Sequence, residues 1–289
     1  MRNEDTKHQL GIFEFNTIIA AMLTVLFLGD IVGEPGRNAV IARLPDLKKR
    51  WSLDFIIVNG ENAAAGRGIT PRITIDLLRA GASVITTGDH IWDRKEIQPF
   101  LEIEPRLLRP LNYPSGAPGA GAIVLETSKG KVGVINVQAR TFMHPILENP
   151  FPLLDTAVNE MRRETANIIV DAHGETTSEK IALGRYLDGR VSAVLGTHTH
   201  VQTADEQIFE NGTAFICDAG MCGPIHSILG RQIEPILARF LSNIPAALPV
   251  APGIAHLRGV LLEIDETTGR ALRITRVDEP GDVPEMPAT

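Results

Sequence analysis

Short apolar runs recur along this chain between polar stretches: TVLFLGD (24–30), DFIIVNGEN (54–62), ASVITTGDH (82–90), KVGVINVQ (131–138), ANIIVDAH (166–173) and VSAVLGTH (191–198). Unbroken apolar runs of this length fit strands covered on both faces rather than strands with one wet face. Helical spacing fills several of the gaps. Over 38–49, Val40, Ile41, Leu44 and Leu47 fall on one face, with Pro45 as a potential kink. The stretch 71–80 opens with Thr70 in the N-cap position and Pro71 at the first helical position. Strands alternating with helices predict a layered α/β fold.

Later in the chain the alternation breaks. Residues 121–137 (GAIVLETSKGKVGVINV) read as a hairpin turning at Ser128-Lys129-Gly130, and 259–277 as a second one around Thr267-Thr268-Gly269. The sheets are therefore expected to be mixed, with a further strand within TAFICDAG (213–220). A single domain is expected over 22–278, followed by a flexible Pro-rich tail at 279–289. The segment 140–154 (RTFMHPILENPFPLL) is unusually apolar for a loop, so it is expected to pack over a cleft, a neighbouring subunit or the domain body.

Composition narrows the class. A hydrophobic fraction of 44% and a charged fraction of 22% are ordinary for a globular protein. The net charge of -7 gives no long-range attraction to a polyanion, so duplex nucleic acid is not an expected partner. The clusters Lys48-Lys49-Arg50 and Arg162-Arg163 lie in polar helical stretches and read as solvated faces. Two cysteines, Cys217 and Cys222, are too few for a secreted disulfide scaffold and wrongly spaced for a zinc ribbon. They read as a buried strand thiol and a loop residue. The uncharged stretch 17–28 is too short to span a bilayer and lacks a clearly cationic flank, so its second half reads as the first core strand. Residues 1–21 are expected to be a poorly ordered extension, with no membrane association and a cytoplasmic location.

The chemistry is concentrated at strand ends. Five apolar runs finish in residues able to bind a metal: Asp30, Glu61-Asn62, Asp89-His90, His173, and His198 with His200. In α/β sheets ligands bind beyond the carboxyl ends of the strands, so these side chains can converge. Each alone has a plain structural reading. Asp30 suits a turn through Gly33-Glu34-Pro35-Gly36, Glu61-Asn62 suits turn chemistry, and a lone His173 is ordinarily a hydrogen-bonded core residue. The set of five is harder to explain that way. Carboxylates, a carboxamide and imidazoles without a thiolate favour Fe, Mn or Zn over calcium, and the donors outnumber the needs of one ion. A bridging carboxylate, best placed as Glu61, would hold two ions about 3.5–4 Å apart, the spacing used in phosphoester hydrolysis.

The motifs GDIVGEPGR (29–37), NGENAAAGRGIT (59–70), TTGDHIWD (86–93), LRPLNYP (108–114), VDAHGETTSEK (170–180), GTHTHVQTAD (196–205) and DAGMCGP (218–224) occur in order. Together they resemble the bacterial calcineurin-like metallophosphoesterases of the 2′,3′-cyclic-nucleotide 2′-phosphodiesterase family, from about Leu23 to Val277. The resemblance implies a four-layer α/β/β/α metallophosphoesterase sandwich with two metal ions, expected to be Fe, with Mn or Zn as the alternatives. It implies Asp30, Glu61, Asn62 and His200 at one ion, with Glu61 bridging, and Asp89, His173 and His198 at the other. His90 resembles the catalytic histidine, which protonates the leaving oxygen while a metal-bound hydroxide attacks phosphorus. Asp93 either orients His90 or simply starts a helix. One departure stands out: the resemblance puts Asn where this chain has Asp89, which bears on ion preference and on attraction for the phosphate.

The expected substrate is a small phosphodiester of the cyclic-nucleotide class, and a homo-oligomer is expected from the resemblance alone. Tyr113 and Phe142 are candidate base-stacking residues, with core or loop packing the favoured reading of each. Two other functions remain open: a broad phosphatase or nucleotidase, and a regulatory protein that binds a nucleotide or RNA end with little turnover. NGEN and GTHTHV also resemble metallophosphoesterase-like proteins of capsule polymer synthesis, which belong with membranes.

Overall fold

The computed structural model describes residues 22–281. The alternation of side chains along a strand explains why the apolar runs are unbroken. In β1 (Met22–Leu28), Leu23, Val25 and Phe27 enter one core while Leu26 and Leu28 enter another. The parallel neighbour β3 (Phe55–Asn59) repeats this, with Phe55 and Ile57 on one side and Ile56 and Val58 on the other. Both faces are dry.

The first sheet runs in the order β2 (Asp30–Ile31), β11 (Met221–Pro224), β12 (Ala255–Asp265), β1, β3, β4 (Val84–Thr86), with β13 (Ala271–Pro280) alongside β12. The second runs β5 (Ala122–Thr127), β6 (Gly130–Gln138), β7 (Ile168–His173), β8 (Ala193–Thr197), β10 (Ala214–Ile216), β9 (Gln207–Ile208). Both are mixed: β12 runs antiparallel to β1, β11 and β13 in the first, and β5–β6 and β9–β10 are antiparallel pairs in the second. Between the sheets lies a core built from Phe27, Ile57, Val134, Ile169, Leu195 and Ile216.

Helices close the two outer faces. On the first sheet, α1 (Gly33–Arg50) buries Val40, Leu44 and Leu47, and α2 (Pro71–Ala80) buries Ile73 and Leu77. On the second, α4 (Pro150–Met161) contributes Leu154, Val158 and Met161, and α5 (Thr177–Tyr186) contributes Leu183. The result is the expected four-layer α/β/β/α metallophosphoesterase architecture. Of the remaining helices, α3 (Ile97–Leu101) adds Ile97 and Leu101 to the core beneath α1 and α2, while α6 (Ile233–Ser242) buries Ile236.

Several local expectations change. Helix α1 begins at Gly33 rather than at residue 38, so the tetrapeptide read as a turn is its first turn. Pro35 is tolerated there because amides of a first turn have no intrahelical acceptor. Thr70 does cap α2, its hydroxyl accepting from the Ile73 amide at 3.3 Å, and Gly81 closes the helix with φ 119°. Cys222 lies in β11, not in a loop, and both cysteines are buried free thiols. Strand β13 continues to Pro280, and the Gly281 amide donates to the Ala255 carbonyl at 2.7 Å, beyond the expected boundary at 278. Residues 1–21 and most of the tail lie outside the described residues. The segment 140–149 packs on the domain body: Met143 and Leu147 are buried, and Asn112 Nδ2 donates to the Glu148 carbonyl at 3.0 Å. Lys48, Lys49, Arg162 and Arg163 are solvated as expected.

Phe27, fully buried at the centre of the inter-sheet core, should be the most sensitive apolar position. Truncation Phe27→Ala should cost about 3–5 kcal/mol. Guanidinium unfolding followed by circular dichroism checks this; a loss below about 1 kcal/mol, far under that range, would mean the two sheets are not held together there.

Candidate functional site

The predicted strand-end residues meet at one edge of the sandwich, where strands of both sheets stop. Asp30 opens β2, Glu61 and Asn62 follow β3, Asp89 and His90 follow β4, His173 ends β7, and His198 and His200 follow β8. Ligand atoms of Glu61, Asp89, His173 and His198 lie within 4.8 Å of one another, and so do those of Asp30, Glu61 and His200. Glu61 belongs to both groups. The Asn62 amide stands between Glu61 Oε1 at 2.8 Å and His200 Nε2 at 3.2 Å. Its Nδ2 faces both; a half-turn of the amide would present Oδ1, the atom a cation needs.

His90 belongs to neither group. Its Nδ1 is 3.3 Å from Asp93 Oδ2 and 3.6 Å from Asp89 Oδ2, and Arg67 Nε is 2.8 Å from the same Asp93 oxygen. Asp93 is the last residue of a short 3-10 turn (Ile91–Asp93) that follows His90, so it does not start a helix, and its carboxylate faces the His90 ring. With Nδ1 engaged, Nε2 is the atom left to the cleft that His90 lines.

The electrostatics of the cluster suit cations. Burial pushes the Asp30 carboxyl above its usual range, and its Oδ1 is buried with no hydrogen-bond partner. Burial also opposes ionisation of Glu61 and Asp89, but the neighbouring imidazoles, His173 foremost, outweigh it and hold both carboxyls low. Burial opposes charging His173 as well, yet Glu61 and Asp89 raise it well above the ordinary histidine value. In the absence of other cations, a proton on His173 compensates two carboxylates. An orphaned carboxylate oxygen and a donor set of mixed N and O atoms, deep enough to exclude bulk water, fit two metal ions.

Beneath the cluster, Thr197 fixes the state of His173. Its hydroxyl donates to Asp171 Oδ1 at 2.7 Å, so it can only accept from His173 Nδ1 at 2.9 Å. That places the neutral ring's proton on Nδ1 and leaves Nε2 free toward Glu61 and Asp89, each 3.1 Å away. Burial pushes Asp171 up to about 6 despite its partners His173, Thr86 and Thr197. Gly88 is equally constrained, since a Cβ there would stand 2.2 Å from both Glu61 Oε2 and His173 Nε2.

Known proteins share this chain's sequence and fold. A family model described as YmdB-like protein matches residues 26–277. The chain belongs to the YmdB-like family. Its relative in Bacillus subtilis (strain 168), the 2′,3′-cyclic-nucleotide 2′-phosphodiesterase, is 48% identical over 255 residues, covering 88% of this chain and 96% of the relative. The crystal structure of a hypothetical protein from Thermus thermophilus matches with TM-score 0.83 and 43% identity, over 89% of this chain and 99% of that one. That of a novel phosphatase from Mycoplasma pneumoniae matches with TM-score 0.85 and 34% identity, over 92% and 96%.

In this YmdB-like chain the histidine pair after β8 sits on an unusual backbone. His198 has φ 100° and His200 φ 66°, conformations that cost about 1–3 kcal/mol each and need external support. Asp30 Oδ2 accepts from the His198 amide at 3.0 Å, and Asp218 Oδ2 from the Thr199 amide at 2.9 Å. Lys180 Nζ, fully buried, donates to the Thr197 carbonyl at 3.2 Å and to Asp218 Oδ2 at 3.1 Å. Sequence reading quoted Lys180 and Asp218 inside motifs but assigned them no role. It also passed over Glu175, whose Oε2 is 3.3 Å from His198 Nε2, although its place two residues after His173 was a usable signal. Arg231 and Phe240 line the cleft from a region with no motif at all. Of the candidate stacking residues, Tyr113 packs edge-on against Trp92, and burial pushes its hydroxyl up to about 12 although Trp92 opposes this, while Phe142 does not line the cleft.

Replacing Lys180 by Met leaves Asp218 buried without its counter-charge and should destabilise the metal-free protein by about 3–5 kcal/mol. The double variant Lys180→Met, Asp218→Asn should recover part of that. Urea unfolding of the three proteins is the measurement, and an unchanged midpoint for Lys180→Met would remove the pair from the support of the histidine turn.

Proposed function

We propose that this protein is a cytoplasmic, dinuclear-metal phosphodiesterase that hydrolyses 2′,3′-cyclic nucleotides at the 2′-ester. One observation carries the reading: two groups of ligand atoms share Glu61, while His90 stands beside them and in neither. Asp30, Glu61, Asn62 and His200 would hold one ion, and Glu61, Asp89, His173 and His198 the other. Iron suits this N and O donor set, with manganese or zinc as alternatives. Two such ions supply Lewis acidity toward the phosphoryl oxygens and activation of water.

The chain's own residues do the rest. Asp93 and Arg67 hold the His90 ring by its Nδ1 edge, so a proton carried on Nε2 is aimed into the cleft. Water adds to phosphorus and gives up one proton to solvent, the bond from phosphorus to O2′ breaks, and the Nε2 proton passes to O2′, leaving a 3′-phosphate and a His90 that regains its proton from solvent. Thr197 and Asp171 keep the His173 tautomer fit for a cation. The name of the Bacillus subtilis relative supports the substrate class, and two unpaired thiols suit a reducing compartment. No helix among the described residues is long and apolar enough to cross a membrane. Because the Mycoplasma pneumoniae relative is described as a phosphatase, monoester hydrolysis is the second reading.

The test is hydrolysis of 2′,3′-cyclic AMP by protein loaded in turn with Fe(II), Mn(II) and Zn(II), with 2′-AMP and 3′-AMP as monoester comparators. Metal-dependent release of 3′-AMP is expected, faster than loss of phosphate from either monoester. Turnover of the monoesters alone would select the phosphatase reading, and no turnover in protein holding two ions would sink both. In the same assay His90→Ala should retain its metals but lose about 10²- to 10⁴-fold in kcat. Equal rates for variant and parent would end the proposed role of His90.

A further inference from the structure

The cleft at the cluster has two unlike ends. It encloses about 370 Å³, within the range of small-ligand pockets. One end is the cluster with His90. The other is apolar, formed by Ile228 and Leu229 and by Ile236 and Phe240 of α6. Phe240 is 80% exposed, an unusual state for a large aromatic side chain beside a polar site, while Ile236 beneath it is 8% exposed and fixes that stretch of the helix. Leu229 is tied to the cluster directly, because its carbonyl faces His200 Nδ1 at 3.1 Å. Arg231 also lines the cleft and is braced by its donations to the Gly66 and Leu248 carbonyls.

We infer that this apolar end is the nucleobase subsite, with Phe240 as the stacking platform that gives the enzyme its preference for nucleoside over base-free phosphodiesters. The inference rests on the phosphodiester reading above and extends it to the part of the substrate that does not react. A phosphate held at the cluster must project its attached group along the cleft, and the wall it meets there is aliphatic and aromatic. A planar, weakly hydrated ring with a π-face matches that wall, and an aromatic side chain binds any base in this way. Thr199 and Arg231 also line the cleft and supply polar groups that the ribose or a base edge could meet.

Replacing Phe240 by Ala should weaken binding of adenosine 3′-phosphate by about tenfold, the lower part of the range for loss of one stacked base. Selectivity of kcat/KM for 2′,3′-cyclic AMP over glycerol 1,2-cyclic phosphate should fall by a similar factor, through KM rather than kcat. Phe240→Trp should keep both. Titration calorimetry on metal-loaded protein and the two turnover assays read these changes. A parent enzyme that treats the two diesters alike, or a Phe240→Ala variant with unaltered selectivity and binding, would overturn the inference. So would loss of a dimer on sizing of Phe240→Ala with nucleotide binding intact, which would assign the residue to an interface between copies. Adenosine itself, which carries no phosphate, separates this inference from the reading beneath it. Adenosine binding that weakens in Phe240→Ala supports the subsite even if no diester is hydrolysed, whereas diester hydrolysis without any adenosine binding overturns the subsite alone.

Discussion

The whole arrangement depends on keeping like charges buried together at the edge of a sandwich. Asp30, Glu61 and Asp89 converge with three imidazoles in a region where Asp30, Glu61 and His173 have almost no exposure. Water cannot screen such a group, so the carboxylates must be compensated by cations or protons. The depressed acids and the raised His173 are the metal-free expression of that demand. Everything near the cluster can be understood as fixing the donors so that they cannot relax apart.

That fixing comes from both sheets. Five strand ends deliver the donors, β3 and β8 two each, and the inter-sheet core of Phe27, Ile57, Leu195 and neighbours sets the distance between the two halves of the site. Finer placement is done by polar contacts. Asn59 Nδ2, from the first sheet, donates to Asp171 of the second at 3.0 Å, and Thr86 and Thr197 reach the same carboxylate. One buried carboxylate thus ties three strand ends together below the ligands. The histidine turn after β8 is held from the opposite side by Asp218 and Lys180. Strain at His198 and His200 persists because these partners over-determine it.

Much of this was legible in the sequence. Strand ends are readable because a doubly buried strand is an unbroken apolar run, and the first polar residues after it mark the place where ligands gather. Asp30, Glu61, Asp89, His173 and His198 were all found in that way, and the structure brings them together. Two kinds of feature escaped. The start of α1 was set too late because Gly33-Glu34-Pro35-Gly36 has turn composition, and only the packing of Gly36 against the Cys222 carbonyl shows that a helix passes there. The apolar wall of the cleft escaped because Leu229, Ile236 and Phe240 reach it by tertiary placement of a region without strand periodicity or motif. Tyr113, for which core packing was the favoured reading, does fill space against Trp92.

The residue at position 89 is where sequence and geometry together say more than either. The resemblance places Asn there, and an added negative charge in a phosphate-binding site would by itself repel the substrate. The structure directs that charge inward: Oδ1 lies 3.1 Å from His173 Nε2 and 3.5 Å from His198 Nδ1, and burial is outweighed by these imidazoles in setting the acid's strength. Its second oxygen faces His90 at 3.6 Å. A carboxylate so placed acts first on whatever cation the imidazoles share and only secondarily on an anion entering the cleft. Under the proposed function, a carboxylate at position 89 would therefore hold a cation shared by His173 and His198 more firmly than a carboxamide would, with Arg231 the cationic side chain lining the cleft that the phosphate would enter.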